Sequence, residues 1–207
     1  MITPFAQQIN CLSIYTHFER FANSIMFYWH QANIMNLSTG VFMRMENVTI
    51  KPEAFTSKGA QYLIAMLEND LKHRYIGQSI NAAKPAKFEH EKSLFLVARK
   101  NGEPIGCGGL VYVDEETCEI KRMFVEPHSR GCGIAKKILL VLEEYALEKG
   151  FKEIQLETGQ HQPEAIVLYE HSGYTRIPCF RQFDGNPHSH CYEKKIVYPC
   201  YSSHYLL

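Results

Sequence analysis

Residues 118–135 read Cys-Glu-Ile-Lys-Arg-Met-Phe-Val-Glu-Pro-His-Ser-Arg-Gly-Cys-Gly-Ile-Ala, and this stretch decides the fold. Its first part, residues 118–125, predicts a β-strand that Pro127 closes. From Ile134 to Lys149 the apolar residues recur at helical spacing, and Gly150 follows as a C-terminal cap. The sequence therefore predicts a strand, a glycine-containing turn and a long helix in direct succession.

The turn, residues 130–135, has the features of an anion site. The first backbone N–H groups of a helix have no internal acceptor, and the helix dipole places partial positive charge there. Gly131 and Gly133 allow an anion to approach the main chain, and Arg130 can add a charge-assisted hydrogen bond. The turn lacks the Gly-Lys-Ser/Thr of a P-loop and the glycine spacing of a dinucleotide fingerprint. Taken alone, it predicts either a generic anion site or an ordinary helix start packed on a sheet.

Strands and helices alternate around this unit. Gly106, Gly108 and Gly109 lie within a predicted strand and indicate a bulge or a close backbone approach. The strand–helix–strand unit at 118–158 indicates an α/β or α+β fold with a sheet covered by helices. The other predicted strands are 47–51, 94–98, 105–113 and 191–198, and the other predicted helices are near 60–71 and at 163–171.

The two ends of the chain differ from this regular middle. Residues 1–45 are rich in aromatic and amide side chains and poor in charge, with a helical patch near 18–29. Two interpretations stand side by side: an accessory helix packed on the domain, or a translated upstream extension with no role. The predicted domain spans 46–198, and 199–207 form a C-terminal tail.

Composition excludes several classes of partner. Lys and Arg total 22, as do Asp and Glu, so the formal net charge is zero and nothing favours nucleic acid or an anionic membrane. No apolar run approaches the ~18 residues of a membrane span, and the N-terminus does not resemble a signal peptide. We therefore expect a cytoplasmic protein.

The cysteines and histidines predict neither a disulfide framework nor a metal site. Seven cysteines are present, with irregular spacing and no Cys-x-x-Cys pair, which favours reduced thiols. His188, His190 and Cys191 lie close together in sequence, but no second cluster accompanies them. No metal is expected.

Two segments together resemble the GNAT N-acetyltransferases. Arg130-x-x-Gly133-x-Ala135, preceded by the strand 120–127, is similar to motif A of that family. Leu156-Glu157-Thr158-Gly159, followed by 163–174, is similar to motif B. The similarity spans about 46–198 and is densest over 119–174. One departure is Gln162-Pro163-Glu164, where the family often has Asn.

The resemblance implies a mixed central sheet splayed between its fourth and fifth strands, with helices on both faces and acetyl-CoA in the opening. It also implies direct attack of a primary amine on the thioester without an acyl-enzyme, and it leaves room for a homodimer. The backbones of Phe124 and Val125 would face the pantetheine arm and the acetyl group. The amides that would hold the pyrophosphate are those of Arg130, Gly131, Cys132, Gly133, Ile134 and Ala135.

The same resemblance suggests two catalytic side chains. Glu119 would be the general base that deprotonates the ammonium, with a solvated residue paired to Lys121 as the alternative. Tyr169 would be the general acid for the leaving thiolate, with a core aromatic as the alternative. Cys132, although at a helix start that lowers a thiol pKa, is interpreted as incidental.

Other residues are candidates for the acceptor side. Lys121 and Arg122 occupy adjacent strand positions, so only one can face the cleft. That residue would pair with an acidic substrate group or form a salt bridge to Glu119 or Glu157. The loop from Phe180 to His190 is expected to form the acceptor wall. Three functions compete: acetylation of a small-molecule amine such as an amino acid, acetylation of a protein lysine or N-terminus, and non-catalytic acyl-CoA binding.

Overall fold

A computed structural model describes residues 48–76 and 88–196 of the chain. These residues form a seven-stranded mixed sheet of order β1-β2-β3-β4-β5-β7-β6 and three α-helices. The strands are β1 (Val48–Pro52), β2 (Leu94–Lys100), β3 (Glu103–Tyr112), β4 (Thr117–Val125), β5 (Glu153–Gly159), β6 (Thr175–Ile177) and β7 (Ser189–Lys195). The helices are α1 (Lys58–Arg74), α2 (Ile134–Glu148) and α3 (Pro163–His171).

The sheet opens between β4 and β5, as the resemblance implies. These two strands are parallel and pair only from Thr117 opposite Glu153 to Ile120 opposite Leu156. Beyond this last rung β4 continues along β3, while β5 continues along the antiparallel β7. A wedge-shaped opening therefore begins after Ile120 and Leu156, and the prediction of a splayed mixed sheet is confirmed.

A bulge in the β3–β4 pair lies beside this opening. The register shifts between Cys107 and Gly109, and Arg122 on β4 has φ 60°. At Gly108 a side chain would collide with the side chains of Met123 and Ile138. The glycine therefore permits α2 to lie close to the sheet, and the predicted bulge and close approach are both confirmed.

The two faces of the sheet have separate apolar cores because side chains alternate along each strand. On β2, Phe95 and Val97 pack against α1, whose buried face includes Leu63 and Leu67. The neighbouring Leu96 faces the other core, which α2 and α3 cover. Helices thus lie on both faces, as predicted.

Most predicted elements agree with the structure to within a few residues. One was missed: β6, at the sheet edge, has three residues, which is too short for an alternating pattern. The predictions for 1–45 and 199–207 lie outside the described residues. In the described part of the chain, no helix is long and apolar enough to cross a membrane.

Candidate active site

A cleft lies where β4 ends, beside the start of α2 and the inner side of α3. Its lining is mostly apolar, with Leu67 of α1 on one side and Leu168 and Tyr169 of α3 on the other. Cys132 is exposed and is not among the lining residues. The cleft brings together most of the residues predicted to bind the cofactor: Phe124, Val125, Arg130, Gly131, Gly133, Ile134 and Ala135.

The turn before α2 has the backbone that a phosphate site requires. Gly131 and Gly133 have φ 76° and 74°, a left-handed conformation that favours glycine. Gly133 is the N-cap of α2, and no side chain caps the helix. The first N–H groups of this 15-residue helix therefore have no side-chain cap, so the site fits an anion such as the pyrophosphate of acetyl-CoA.

Arg130 lines this cleft and contacts two other protein groups. Its Nε donates to the carbonyl of Val125 at 2.9 Å, and its guanidinium lies 3.6 Å from Asp70 of α1. Asp70 also pairs with Arg74, which in turn contacts Glu164 at the first turn of α3. A chain of alternating charges thus connects α1 to α3 at the cleft.

Tyr169, the predicted general acid, is buried at the inner side of this cleft. Its side chain is on α3, 4% exposed, and it contributes to the cleft lining. Burial raises the pKa of its phenol, and the charge of Glu157 raises it further. At neutral pH the phenol therefore carries its proton, the state that a general acid needs.

Glu119 lies on the sheet face opposite α2. Although only 2% exposed, it is doubly ion-paired: Lys121 donates to Oε1, and Nη2 of Arg181 donates to Oε2 at 3.1 Å. The alternative that the sequence left open, a solvated residue paired with Lys121, is confirmed for the pairing but wrong for the solvation. The role of Glu119 as a base stays a prediction.

Sequence reasoning named the second carboxylate on this face, Glu157, only as a possible salt-bridge partner of Lys121 or Arg122. Glu157 of β5 is largely buried and accepts a hydrogen bond from Ser189 Oγ at 2.7 Å. Burial raises the pKa of Glu157, and the charge of Glu119 raises it further. The hydrogen bond from Ser189 and the charge of Lys121 lower this pKa, but only in part. The Leu-Glu-Thr-Gly segment contained this residue, but its pairing with Ser189 joins residues 32 positions apart.

The loop before β7 covers this carboxylate pair. Cys179 and Cys191 form a disulfide with Cα atoms 5.1 Å apart, so the expectation of reduced thiols was wrong for these two residues. They meet because β6 pairs with β7 and brings Ile177 opposite Cys191. Within the closed loop Arg181 has φ 49°, and buried Phe183 lies 5.3 Å from Lys121 Nζ. The loop predicted to form the acceptor wall thus contributes Arg181 to a group of three charged side chains, Glu119, Lys121 and Arg181, which we call the Glu119 cluster.

The bulge at Arg122 interrupts the strand alternation on which the prediction of opposite orientations for Lys121 and Arg122 rested. Lys121 joins the Glu119 cluster, and Arg122 is influenced by the charge of Glu68 on α1. Burial lowers the pKa of Arg122, which has a buried nitrogen without a hydrogen-bond partner. Cys191, being disulfide-bonded, is not available to His188 and His190 as a ligand. Across 48–76 and 88–196, no group of three or more His, Cys, Asp or Glu side chains is placed to hold a metal.

A splayed sheet with an uncapped helix start beside its opening is typical of one class of protein, the acyl-CoA-dependent acyltransferases. Residues 56–174 match the model of the Acetyltransferase (GNAT) family. The "IAA acetyltransferase" of Azospirillum brasilense is 33% identical over 154 residues, which cover 73% of this chain and all of that protein. The chain therefore belongs to the GNAT family and is an acetyl-CoA-dependent acyltransferase.

Solved structures agree. A candidate acyl-CoA N-acyltransferase from Klebsiella pneumoniae superimposes with a TM-score of 0.62 at 31% identity, covering 72% of this chain and 98% of that one. A GNAT acetyltransferase from Elizabethkingia anophelis, solved with acetyl-CoA bound, gives a TM-score of 0.53 at 20% identity over 73% of this chain and 99% of that one. The second likeness supports the fold alone.

Proposed function

We propose that the protein transfers the acetyl group of acetyl-CoA to the primary amine of a small molecule that also carries a carboxylate, such as an amino acid. The observation that carries this proposal is Arg181. Its side chain is 36% exposed and lies beside buried Glu119. It belongs to the loop that covers the sheet face carrying Glu119 and Glu157, which we call the acceptor face. Lys121 and Arg181 both pair with Glu119, and the exposed part of the Arg181 guanidinium offers further donors that suit an anionic substrate group.

A small acceptor also suits the covered geometry of this face. The disulfide-closed loop places Phe183 and Arg181 over β4, so a peptide would have to displace them. The relative from Azospirillum brasilense, whose whole length aligns with this chain, bears the name of a small-molecule acetyltransferase. A cytoplasmic site of action and a homodimer remain parts of the proposal.

The roles proposed for the chain's residues follow the layout of the site. The start of α2, from Arg130 to Ala135, would bind the pyrophosphate, and the backbones of Phe124 and Val125 would face the pantetheine arm. A carboxylate of the acceptor face, Glu119 by the sequence prediction, would take the ammonium proton. Tyr169 would give a proton to the departing thiolate.

Thiol release from acetyl-CoA, measured over matched amines with and without a carboxylate and over lysine peptides, tests this proposal. We expect turnover with carboxylate-bearing amines, and a ~10- to 100-fold higher KM for them in Arg181→Gln, since a hydrogen bond between charged groups is lost. Amines without a carboxylate should be affected less. Arg176→Gln, at an exposed position of β6, is the matched control. Preference for peptides, or no amine-dependent release, would overturn the proposal.

A further inference from the structure

Glu157, rather than Glu119, borders the opening of the sheet. The last rung that joins β4 to β5 pairs Ile120 with Leu156. Glu157 is the first residue of β5 beyond that rung, at the point where the strands diverge. Glu119 lies one rung inside the paired region, opposite Gln155. Of the two carboxylates, Glu157 is therefore the one next to the space where the acyl group and the amine must meet.

The carboxylates also differ in their hydrogen bonds. Both oxygens of Glu119 accept from cations, Oε1 from Lys121 and Oε2 from Arg181. Each oxygen of Glu119 is therefore already occupied by a cationic donor, and the carboxylate acts as an anchor for two side chains. Glu157 accepts at Oε1 from the neutral hydroxyl of Ser189. A neutral donor stabilises the charged form less than a cation does.

Charged and titratable groups surround Glu157 on several elements. From β4, the charge of Lys121 favours the ionised carboxylate and that of Glu119 opposes it. At the C-terminal cap of α1, Tyr75 packs over Gly159, where an added side chain would collide with it. Burial raises the pKa of the Tyr75 phenol, and the charge of Glu157 also raises it. On α3, Tyr169 responds to Glu157 in the same way. Glu157 is thus electrostatically coupled both to Tyr169, in the cofactor cleft, and to Lys121, on the acceptor face.

We propose that Glu157 is the general base of the acetyl transfer and that Glu119 is a positioning residue that anchors Arg181 and Lys121. The inference rests on the proposed function, acetylation of an amine. It assigns the proton transfer to the residue at the opening and substrate positioning to the residue inside the sheet.

The proposed step balances as follows. Glu157 takes one proton from the substrate ammonium, and the freed nitrogen lone pair forms the C–N bond as the thioester C–S bond breaks. Tyr169 gives its proton to the departing sulfur and recovers one from the nitrogen as the amide forms. Glu157 then releases its proton to solvent, so one proton leaves for each acetyl group transferred.

The pH dependence of kcat/KM separates the two carboxylates. In the wild type the rate should fall as the pH drops through the pKa of Glu157, because the protonated carboxyl cannot accept. Glu157→Gln should lose ~10²–10⁴-fold at neutral pH. Its residual rate should then rise about tenfold per pH unit up to the pKa of the amine, which must arrive already deprotonated. Glu119→Gln should raise KM and keep the wild-type pH profile.

An acceptor that needs no base supplies a second readout. Hydroxylamine is largely uncharged at neutral pH, so Glu157→Gln should retain most of the wild-type rate with it while losing the rate with an alkylamine. A merely structural role would lower both rates together. Glu153→Gln is the control, because Glu153 lies on the same face of β5 as Glu157. The Glu153 carboxylate contacts Lys195, outside the site.

The pKa itself can be measured without turnover. The ¹³C resonance of the Glu157 carboxyl, assigned by its loss in Glu157→Gln, should titrate above the range of ordinary glutamates. Ser189→Ala removes a donor to the charged form, so it should move this titration and the acidic limb of kcat/KM to higher pH together. CoA affinity and thermal unfolding of each variant report whether it is folded.

The outcomes are distinct. If the wild type acetylates no amine, the proposed function fails, and a Glu157 titration in the ordinary range would then contradict the present inference independently. If the wild type acetylates amines but Glu157→Gln keeps the rate and the pH profile, Glu157 is not the base. A pH profile altered by Glu119→Gln alone would return that role to Glu119.

Discussion

The cofactor cleft and the acceptor face lie on either side of the same opening, yet they are built in different ways. The cleft depends on local backbone: two glycines with positive φ and the start of α2, all within residues 130–135. The acceptor face depends on side chains from distant segments, with Glu119 bound to Arg181 and Glu157 bound to Ser189. The first can be recognised in a short sequence, whereas the second exists only in the folded chain.

This difference has a consequence for function. A backbone cradle suits a constant group, which is the pyrophosphate in the proposed function, and tolerates changes of most side chains around it. A side-chain cluster can change its charge or shape with a single substitution, which suits the role proposed for it, selection of the acceptor. Variants of the two regions should therefore separate cofactor affinity from acceptor chemistry.

The largest expected effect is at Tyr169, where the two regions meet. Tyr169→Phe should lower kcat by ~10²–10⁴-fold with little change in CoA affinity, because the proposed role of the lost hydroxyl is to protonate the leaving thiolate. Steady-state kinetics with acetyl-CoA and a good amine, together with calorimetric CoA binding, measure both quantities.

Tyr174→Phe is the matched control for this variant. The rings of the two tyrosines lie 5.7 Å apart, and within the described residues Tyr174 is not part of the cleft lining. Its kcat should stay near the wild-type value. Equal rates for Tyr169→Phe and the wild type would leave Tyr169 as a core aromatic, the alternative interpretation of the sequence.

The disulfide tests whether the acceptor face depends on its loop. Cys179→Ser should lower the free energy of unfolding by about 3 kcal/mol, since a short closed loop no longer restricts the unfolded chain. It should also raise the acceptor KM, because Arg181 lies two residues away in this loop. Thermal unfolding and steady-state kinetics measure these changes.

Reductant and a second cysteine variant complete this test. A reducing agent should reproduce the Cys179→Ser effect on the wild type, whereas Cys132→Ser, at an exposed free thiol, should change neither quantity. If the wild type contains seven alkylatable thiols and reductant has no effect, the two cysteines are reduced, as the sequence alone predicts.

The features that the sequence predicted are those with local causes. The strand 118–125, the turn and the helix from Ile134 follow from alternation, glycine and periodicity within a few residues, and the splay followed from resemblance to a family. The disulfide could not be predicted, because Cys179 meets Cys191 only through the pairing of β6 with β7. Arg181 and Glu119 are 62 residues apart, so no spacing rule joins them.

A smaller effect is expected for the glycine cradle. Gly133→Ala should lower the free energy of unfolding by about 1–2 kcal/mol, the cost of a left-handed alanine. Its added methyl group meets no protein atom within 4 Å, so any further effect must come from the ligand. We expect CoA to bind roughly tenfold more weakly.

Gly150→Ala provides the comparison, because it shares this backbone cost away from the cleft. Gly150 has φ 82° and open space around its Cα, but it follows the other end of α2. Its stability loss should match that of Gly133→Ala, and its CoA affinity should be unchanged. Equal CoA affinities in both variants would mean that the pyrophosphate does not approach Gly133.

The smallest expected effect concerns Glu164, which lines the cleft and pairs with Arg74. Glu164→Gln should cost about 0.3–1 kcal/mol of stability, because a carboxylate at the first turn of α3 and a partly exposed ion pair are both lost. CoA should nevertheless bind several-fold more tightly at low salt, since one negative charge leaves the cleft and Arg74 is released toward the phosphates.

Glu170→Gln, near the other end of α3, should lack this gain in CoA affinity. Because the effect is electrostatic, it should shrink as salt rises; a gain that salt does not reduce would mean that Glu164 acts through packing rather than charge.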